Sequence, residues 1–254
     1  RAQLLVGQNW DNTYGYDDKG DIGNSVVKTN DDGYIAFGTS SWWENEDTES
    51  EFFTSDLFLV KVDSLGQEQW IRSFDDTNST DEGNSIQQTI DGGYILTGST
   101  YSDSSLYDGW LIKTDSNGNI LWDYKYGGDG DDFFNDIQET NDGGYIMAGG
   151  SSGALWLMKI NSMGEEEWSR THKWDNGYDE AFSVKQTFDD GFILTGRTGS
   201  SSVYPCLWLL KTDSLGQEEW NDVWGENTNT WEFGTSVIQT PDSGYVISGW
   251  VDDG

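Results

Sequence analysis

Residues 81–128 read DEGNSIQQTIDGGYILTGSTYSDSSLYDGWLIKTDSNGNILWDYKYGG, and variants of this stretch recur along the chain. It contains four short segments typical of strands: an alternating segment that ends at Thr89, apolar runs from Tyr94 and from Trp110, and a closing segment from Trp122. The Gly- and Asp-rich sequences between them are typical of tight turns. The stretch therefore predicts a four-stranded antiparallel unit.

The threonine that ends the first segment marks the repeat. It recurs at intervals of 47 to 60 residues, each time followed by an acidic turn and an aromatic residue between two glycines. Repeats of about fifty residues with several short apolar runs are typical of propeller blades. The five threonines are Thr29, Thr89, Thr140, Thr187 and Thr240.

The two ends of the chain complement each other in this pattern. Residues 10–15, WDNTYG, resemble the closing segment WDYKYG at 122–127, and the fifth repeat stops after its second strand. An N-terminal strand can then complete the C-terminal blade and remove the sheet edges. Residues 1–7 are either this region's first strand or a signal-peptide remnant.

We therefore predict an all-β fold: one five-bladed β-propeller domain over 1–254, with four-stranded antiparallel blades and a ring closed by the N-terminal strand. The repeats span approximately 16–74, 75–126, 127–172, 173–224, and 225–254 together with 1–15.

Composition limits the partners. The formal net charge of −33 argues against nucleic acid, since phosphate contacts need clustered Lys and Arg. No stretch is apolar for long enough to insert into a membrane. Cys206 is the single cysteine, which fits an exported protein, so we expect an extracellular or cell-surface location. A saline habitat or simple colloidal solubility would also explain the acidity.

Several motifs together resemble a known group of proteins. Gly-Asn-Ser at 83–85, Asp-Gly-Gly-Tyr at 91–94, the turn at 111–118 and the trailing Trp122 are similar to the β-propeller repeats of exported bacterial proteins, and distantly to tryptophan-docked quinoprotein-type propellers. The resemblance covers essentially the whole chain. It implies secretion or cell-surface display, and it implies no particular activity.

Blade topology sorts the loops by face. The link between blades and the loop between the second and third strands emerge on one side, and the two tight hairpins emerge on the other. Binding residues concentrate in variable loops on a rigid scaffold. We therefore predict a ligand-binding face for a glycan or a surface protein, with self-assembly as a further use. Its aromatic candidates are Trp42, Trp43, Tyr101, Tyr107 and Tyr204.

An acidic residue precedes the first strand's core in every repeat. Five equivalent carboxylates would form a ring at the mouth of an axial channel, where they could hold Ca²⁺, which takes oxygen ligands. The alternative is that each acid caps backbone amides of its own link. The five residues are Asp21, Asp81, Asp132, Asp179 and Glu232.

The remaining reactive residues indicate no catalytic site. With one histidine, His172, and one cysteine, neither a Ser-His-Asp triad nor an ordinary zinc site can be assembled. Lysines at the end of each third strand, from Lys61 to Lys211, are expected to pair with carboxylates. We therefore predict a non-catalytic binding, adhesion or surface-assembly module. The alternative is a carboxylate-based glycoside hydrolase, which needs two carboxyl groups with unlike pKa values about 5 or 6.5 to 9.5 Å apart.

Overall fold

The computed structural model describes residues 2–6, 10–16, 19–44, 52–75, 79–102, 105–174, 176–199, 204–225 and 230–252. Over these ranges the chain forms twenty β-strands and no helix, so the all-β prediction is confirmed. No helix that could cross a membrane occurs in these ranges. The chain divides into two compact units, residues 1–129 and 130–254, which are described separately.

The first unit contains ten strands. The N-terminal pair, β1 and β2, forms a hairpin, and the next eight strands run antiparallel in two groups of four. A single parallel pairing between Ser55 and Thr80 joins the two groups into one sheet. The strands are β1 Ala2–Val6, β2 Trp10–Tyr14, β3 Gly20–Lys28, β4 Tyr34–Glu44, β5 Phe52–Val62, β6 Glu68–Phe74, β7 Thr80–Gln88, β8 Tyr94–Ser102, β9 Ser105–Thr114 and β10 Ile120–Tyr126.

The second unit contains the other ten. Two four-stranded antiparallel sheets follow the chain order, and a two-stranded sheet ends the unit. The strands are β11 Asp132–Glu139, β12 Tyr145–Ser151, β13 Ala154–Ile160, β14 Glu166–His172, β15 Glu180–Gln186, β16 Phe192–Thr198, β17 Cys206–Thr212, β18 Glu218–Trp224, β19 Trp231–Gln239 and β20 Tyr245–Asp252.

Within each unit the repeats pack face to face. In the second unit Ile146 and Leu157 of the third repeat meet Val184 and Leu194 of the fourth in one buried cluster. An equivalent cluster joins the first two repeats, where Phe37 meets Leu96. Because middle strands are covered on both faces, β12 and β13 are buried almost throughout, whereas the closing strand β14 is largely exposed.

The closing-strand tryptophans of the first and third repeats dock on the next repeat. The ring of Trp168 lies 5.8 Å from the ring of Phe192 and against Gly216, where a Cβ atom would approach within 2.5 Å of the indole. In the first unit Trp70 makes the same contacts with Tyr94 and Gly118. These glycines have left-handed backbone angles, so the turn both bends and leaves room for the ring.

The Thr-x-Asp-x-Gly turn forms in every repeat. The Asp31 carboxylate accepts hydrogen bonds from the Thr29 hydroxyl and the Gly33 amide. The positive φ belongs to the residue before that glycine, Asp32, at 61°. Gly33 is needed for another reason, since a Cβ atom there would lie 2.3 Å from the Val62 carbonyl oxygen.

The N-terminal hairpin contacts the first repeat as a closing strand does. The Tyr14 hydroxyl donates to the Gly66 carbonyl at 2.5 Å, and Tyr14 is 7% exposed. In the second unit the equivalent closing-strand residue, His172, interacts with the backbone of the equivalent glycine, Gly216. Residues 2–6 form a strand, β1, paired with β2.

Candidate functional site

The expected loops between second and third strands are partly strand. In the first repeat β4 and β5 are each 11 residues long, and in the second repeat β8 and β9 have 9 and 10 residues. The corresponding strands β12, β13, β16 and β17 have 7. The additional residues pair as two β-hairpin arms, here called the first and second arms. An arm presents its side chains on a stiffer support than a loop.

The predicted aromatic residues lie on these arms or near their equivalent. On the first arm Trp42 pairs with Thr54 and Trp43 with Phe53 in the strand register, and the side chains of both tryptophans lie outside the described part of the chain. In the second unit Tyr204 is 44% exposed, just before β17.

The second arm carries an aromatic pair. Tyr101 and Tyr107 face each other across β8 and β9, with ring centroids 5.3 Å apart and planes tilted by 56°. Both are partly exposed. This is the one place in the described chain where two of the predicted aromatic side chains meet.

The predicted acids do not project into solvent. Asp21, Asp81, Asp132 and Asp179 are buried, and Glu232 is partly buried. The contacts they make favour the capping alternative. Asp21 accepts the Tyr16 amide at 2.9 Å, Asp179 accepts the Trp174 amide at 3.2 Å, and Asp81 accepts the Ser79 hydroxyl at 2.8 Å. Each donor belongs to the link that precedes the acid. The ring of five stays a prediction.

A hydroxyl residue lies directly across the sheet from most of these acids. In the fourth repeat the Thr198 hydroxyl donates to the Asp179 carboxylate. In the first two repeats the equivalent hydroxyls, on Ser40 and Thr100, are buried and have no hydrogen-bond partner among the described residues. One Asp21 carboxylate oxygen is also without a partner there.

Three carboxylates meet where the first repeat joins the second. Asp56 of β5, Asp75 after β6 and Asp81 of β7 each offer an oxygen, and these oxygens lie within 4.8 Å of one another. We call them the Asp56 cluster. Asp56 is 8% exposed, Asp81 is fully buried and Asp75 is exposed. Burial raises the pKa of Asp56, and Asp75 adds to the rise, while hydrogen bonds from Ser73 and the nearby Lys19 oppose it.

Sequence patterns alone do not reveal the Asp56 cluster. Asp56 stands five residues before the third-strand lysine, where the second repeat also has an aspartate, Asp108, but the third and fourth repeats have Ala154 and Cys206. Residue 75 likewise has Lys173 as its equivalent after the third repeat's closing strand. The departure of these positions from the repeat is the signal that could have identified them.

A groove of about 590 Å³ lies among the hairpin turns at the other end of the same strands. Its charged groups are used internally, since Lys61 binds the Asp31 carboxylate at 2.9 Å. A hydrogen bond from Thr29 and another from Lys61 lower the pKa of Asp31 to about 2, although burial opposes this shift. An aspartate so firmly ionised is unsuited to general acid catalysis. Trp70 lines the groove, and Arg72 lies over its ring at 5.2 Å.

The lone histidine has a structural place. His172 ends β14, and burial lowers its pKa. Cys206 is a buried free thiol at the start of β17. Neither belongs to a group of three potential metal ligands in the described ranges, where the Asp56 cluster is the single such group.

No family model matches the chain, and no curated protein matches it. Among solved structures it is similar to the RS223 β-xylosidase, at 10% identity and a TM-score of 0.47, over 86% of this chain and 83% of that one. It is also similar to a putative exo-β-1,3-galactanase from Bifidobacterium bifidum s17, at 8% identity and a TM-score of 0.46, over 86% of this chain and 77% of that one. Likenesses this distant do not transfer an activity.

Proposed function

We propose that this protein is a non-catalytic carbohydrate-binding module of the exported β-propeller type, displayed outside the cell. The observation that carries the proposal is the Tyr101–Tyr107 pair on the second arm. Two partly exposed tyrosine rings held on a paired hairpin offer apolar faces and hydroxyl groups together, which is the combination that the faces and hydroxyls of a sugar require.

The rigidity of the arm supports this function. A tyrosine loses little rotamer freedom on binding because it has two side-chain torsions, and the strand pairing fixes its backbone in advance. Trp42 and Trp43 lie on the first arm, one and two residues beyond Ser41, which is the equivalent of Tyr101. The acidic surface would disfavour anionic glycans, so neutral glycans are the expected ligands.

A glycan array tests the proposal. The native chain should bind neutral glycans, and Tyr101→Ala and Tyr107→Ala should each weaken that binding by at least tenfold. Tyr124→Ala is the matched control, since Tyr124 is a 43% exposed tyrosine on the closing strand β10 and outside both arms. Equal binding by all four proteins would refute the assignment to the second arm.

We also propose that the fold is a closed ring of five blades. The support is the pair of two-stranded hairpins, β1–β2 and β19–β20, in a chain whose other repeats have four strands each. The strand β20 is mostly exposed, with Val246 53% and Val251 60% accessible, whereas its counterpart β16 in the fourth repeat is buried. An exposed apolar second strand calls for a third strand beside it.

A second candidate function is glycoside hydrolysis at the Asp56 cluster. It is favoured by the presence of two unlike carboxylates, Asp56, which is buried and has a raised pKa, and Asp75, which is exposed, whose oxygens lie within 4.8 Å of each other. The burial of Asp56 and Asp81 counts against it, because a sugar must reach both groups. Release of phenol from a panel of aryl glycosides, lost in Asp75→Asn, would establish this activity.

A further inference from the structure

We propose that the Asp56 cluster is a Ca²⁺ site, with Asp56, Asp75 and Asp81 as its carboxylate ligands. The site is asymmetric and belongs to the junction of the first two repeats. It is therefore distinct from the five-fold ring that the sequence predicts, with which it shares only Asp81. It does not depend on the carbohydrate proposal.

The spacing of the oxygens fits a single ion. Calcium binds oxygen at about 2.3 to 2.6 Å, so two ligands on opposite sides of one ion lie about 4.6 to 5.2 Å apart. The three carboxylate oxygens lie within 4.8 Å of one another. All three can therefore contact one Ca²⁺ without movement of the strands that carry them.

Two buried hydroxyls supply an independent observation. Ser40 is fully buried and lies directly across β4–β5 from Asp56, and Thr100 is 2% exposed and lies directly across β7–β8 from Asp81. Residues paired in this way have their side chains on the same face of the sheet. Neither hydroxyl has a hydrogen-bond partner within the described residues.

Native proteins rarely leave a buried hydroxyl unpaired, so each of these oxygens calls for a ligand. The fourth repeat pairs the equivalent hydroxyl within the protein. There the Thr198 hydroxyl donates to Asp179, the equivalent of Asp81. In the second repeat Asp81 accepts the Ser79 hydroxyl at 2.8 Å, and Thr100 keeps its lone pairs for an ion or for a water bound to it.

The charge at the site is unbalanced. Three carboxylates converge, and the ammonium nitrogen of Lys19 lies 3.6 Å from one Asp56 oxygen. Like charges at this distance repel unless a cation intervenes. At the equivalent junction in the second unit the chain has Ala154 and Lys173 in place of Asp56 and Asp75, so of the three carboxylates only the equivalent of Asp81, Asp179, is present there.

Burial favours an ion over a larger ligand. Asp56 and Asp81 are almost inaccessible, whereas Asp75 is exposed, so the cluster meets solvent at Asp75. Magnesium holds its waters more tightly and requires near-ideal octahedral geometry, so calcium is the better fit for three protein carboxylates from separate segments of the chain.

Calorimetric titration of the full chain with CaCl₂ at constant ionic strength tests the site. The native protein should bind Ca²⁺ saturably at one strong site, and Asp75→Asn should weaken that binding by at least tenfold. Asp222→Asn, which removes the same charge from an exposed position on β18, should bind like the native protein. Thr100→Val, which keeps the side-chain shape, should weaken binding severalfold.

Thermal unfolding supplies a second readout that does not depend on heats of binding. In the presence of a chelator, Asp75→Asn should have a melting temperature equal to or above that of the native protein, because the substitution relieves charge repulsion. Added Ca²⁺ should raise the melting temperature of the native protein and leave that of Asp75→Asn unchanged. Native-like Ca²⁺ affinity in Asp75→Asn, or no saturable binding by the native chain, would overturn the proposal. Tyr101→Ala should bind Ca²⁺ normally, which separates this site from the carbohydrate surface.

Discussion

The buried lysines show how much the turns depend on single carboxylates. Lys113 and Lys159 are equally inaccessible, but Lys113 binds Asp91 and a backbone carbonyl, whereas Lys159 binds both Asp142 and Glu167. Asp91→Asn should therefore cost about 1 to 3 kcal/mol, because it leaves a buried ammonium without a counter-charge. Asp142→Asn, with Glu167 in place, should cost less than about 1 kcal/mol. Urea unfolding at pH 7 measures both, and equal losses would contradict the pairing scheme.

The same ion pairs make the free energy of unfolding depend on pH in the acidic range. Burial alone would raise the pKa of Asp91, but hydrogen bonds from Thr89 and Lys113 lower it to about 2. The pKa of Asp142 is likewise lowered to about 2. A carboxyl whose pKa is lower in the folded chain stabilises it above the unfolded pKa, near 3.9, and loses that effect as the pH falls towards 2. The difference in stability between native protein and Asp91→Asn should accordingly shrink between about pH 5 and pH 2.

At the scale of the element, the docked tryptophan holds one repeat on the next. Trp168 is partly buried against Phe192 and Gly216, with Arg170 over its ring, so Trp168→Ala should cost about 2 to 4 kcal/mol. Trp224, at the end of β18, is 44% exposed, and Trp224→Ala should cost less than about 1 kcal/mol. Guanidinium unfolding separates the two, and a smaller loss for Trp168→Ala would show that the dock is dispensable.

Local patterns in the sequence predict the elements that repeat and miss those that do not. The Thr-x-Asp turn and the trailing tryptophan follow from fixed spacing, because each depends on residues of its own or the adjacent repeat. The polar sequences of the arms predict loops, and only the pairing of Trp42 with Thr54 and Tyr101 with Tyr107 makes them strands. The Asp56 cluster combines residues from three separate segments of two repeats, so no spacing along one repeat could identify it.

At the scale of the whole molecule, closure of the ring can be tested with a disulfide. In the fourth repeat β17 pairs with β16, and Leu209 lies opposite Thr195. If β1 pairs with β20 in the same way, Leu4 is the equivalent of Leu209 and Ser248 is the equivalent of Thr195, so Leu4 should lie opposite Ser248. The double variant Leu4→Cys with Ser248→Cys should then form an intramolecular bond on oxidation and unfold at a higher temperature. Neither single variant should do so. A disulfide-linked dimer would show instead that the hairpin completes a neighbouring copy.

The parallel pairing of Ser55 with Thr80 couples the unfolding of the first repeat to that of the second. The Ser55 hydroxyl also donates to the Asp81 carbonyl at 2.8 Å, so β5 contacts β7 through both its backbone and a side chain. The third and fourth repeats form separate sheets. Separating the first repeat from the second must therefore break hydrogen bonds as well as expose buried apolar surface. We expect the two repeats to unfold together, under heat or force, as one cooperative unit that includes both arms and the Asp56 cluster.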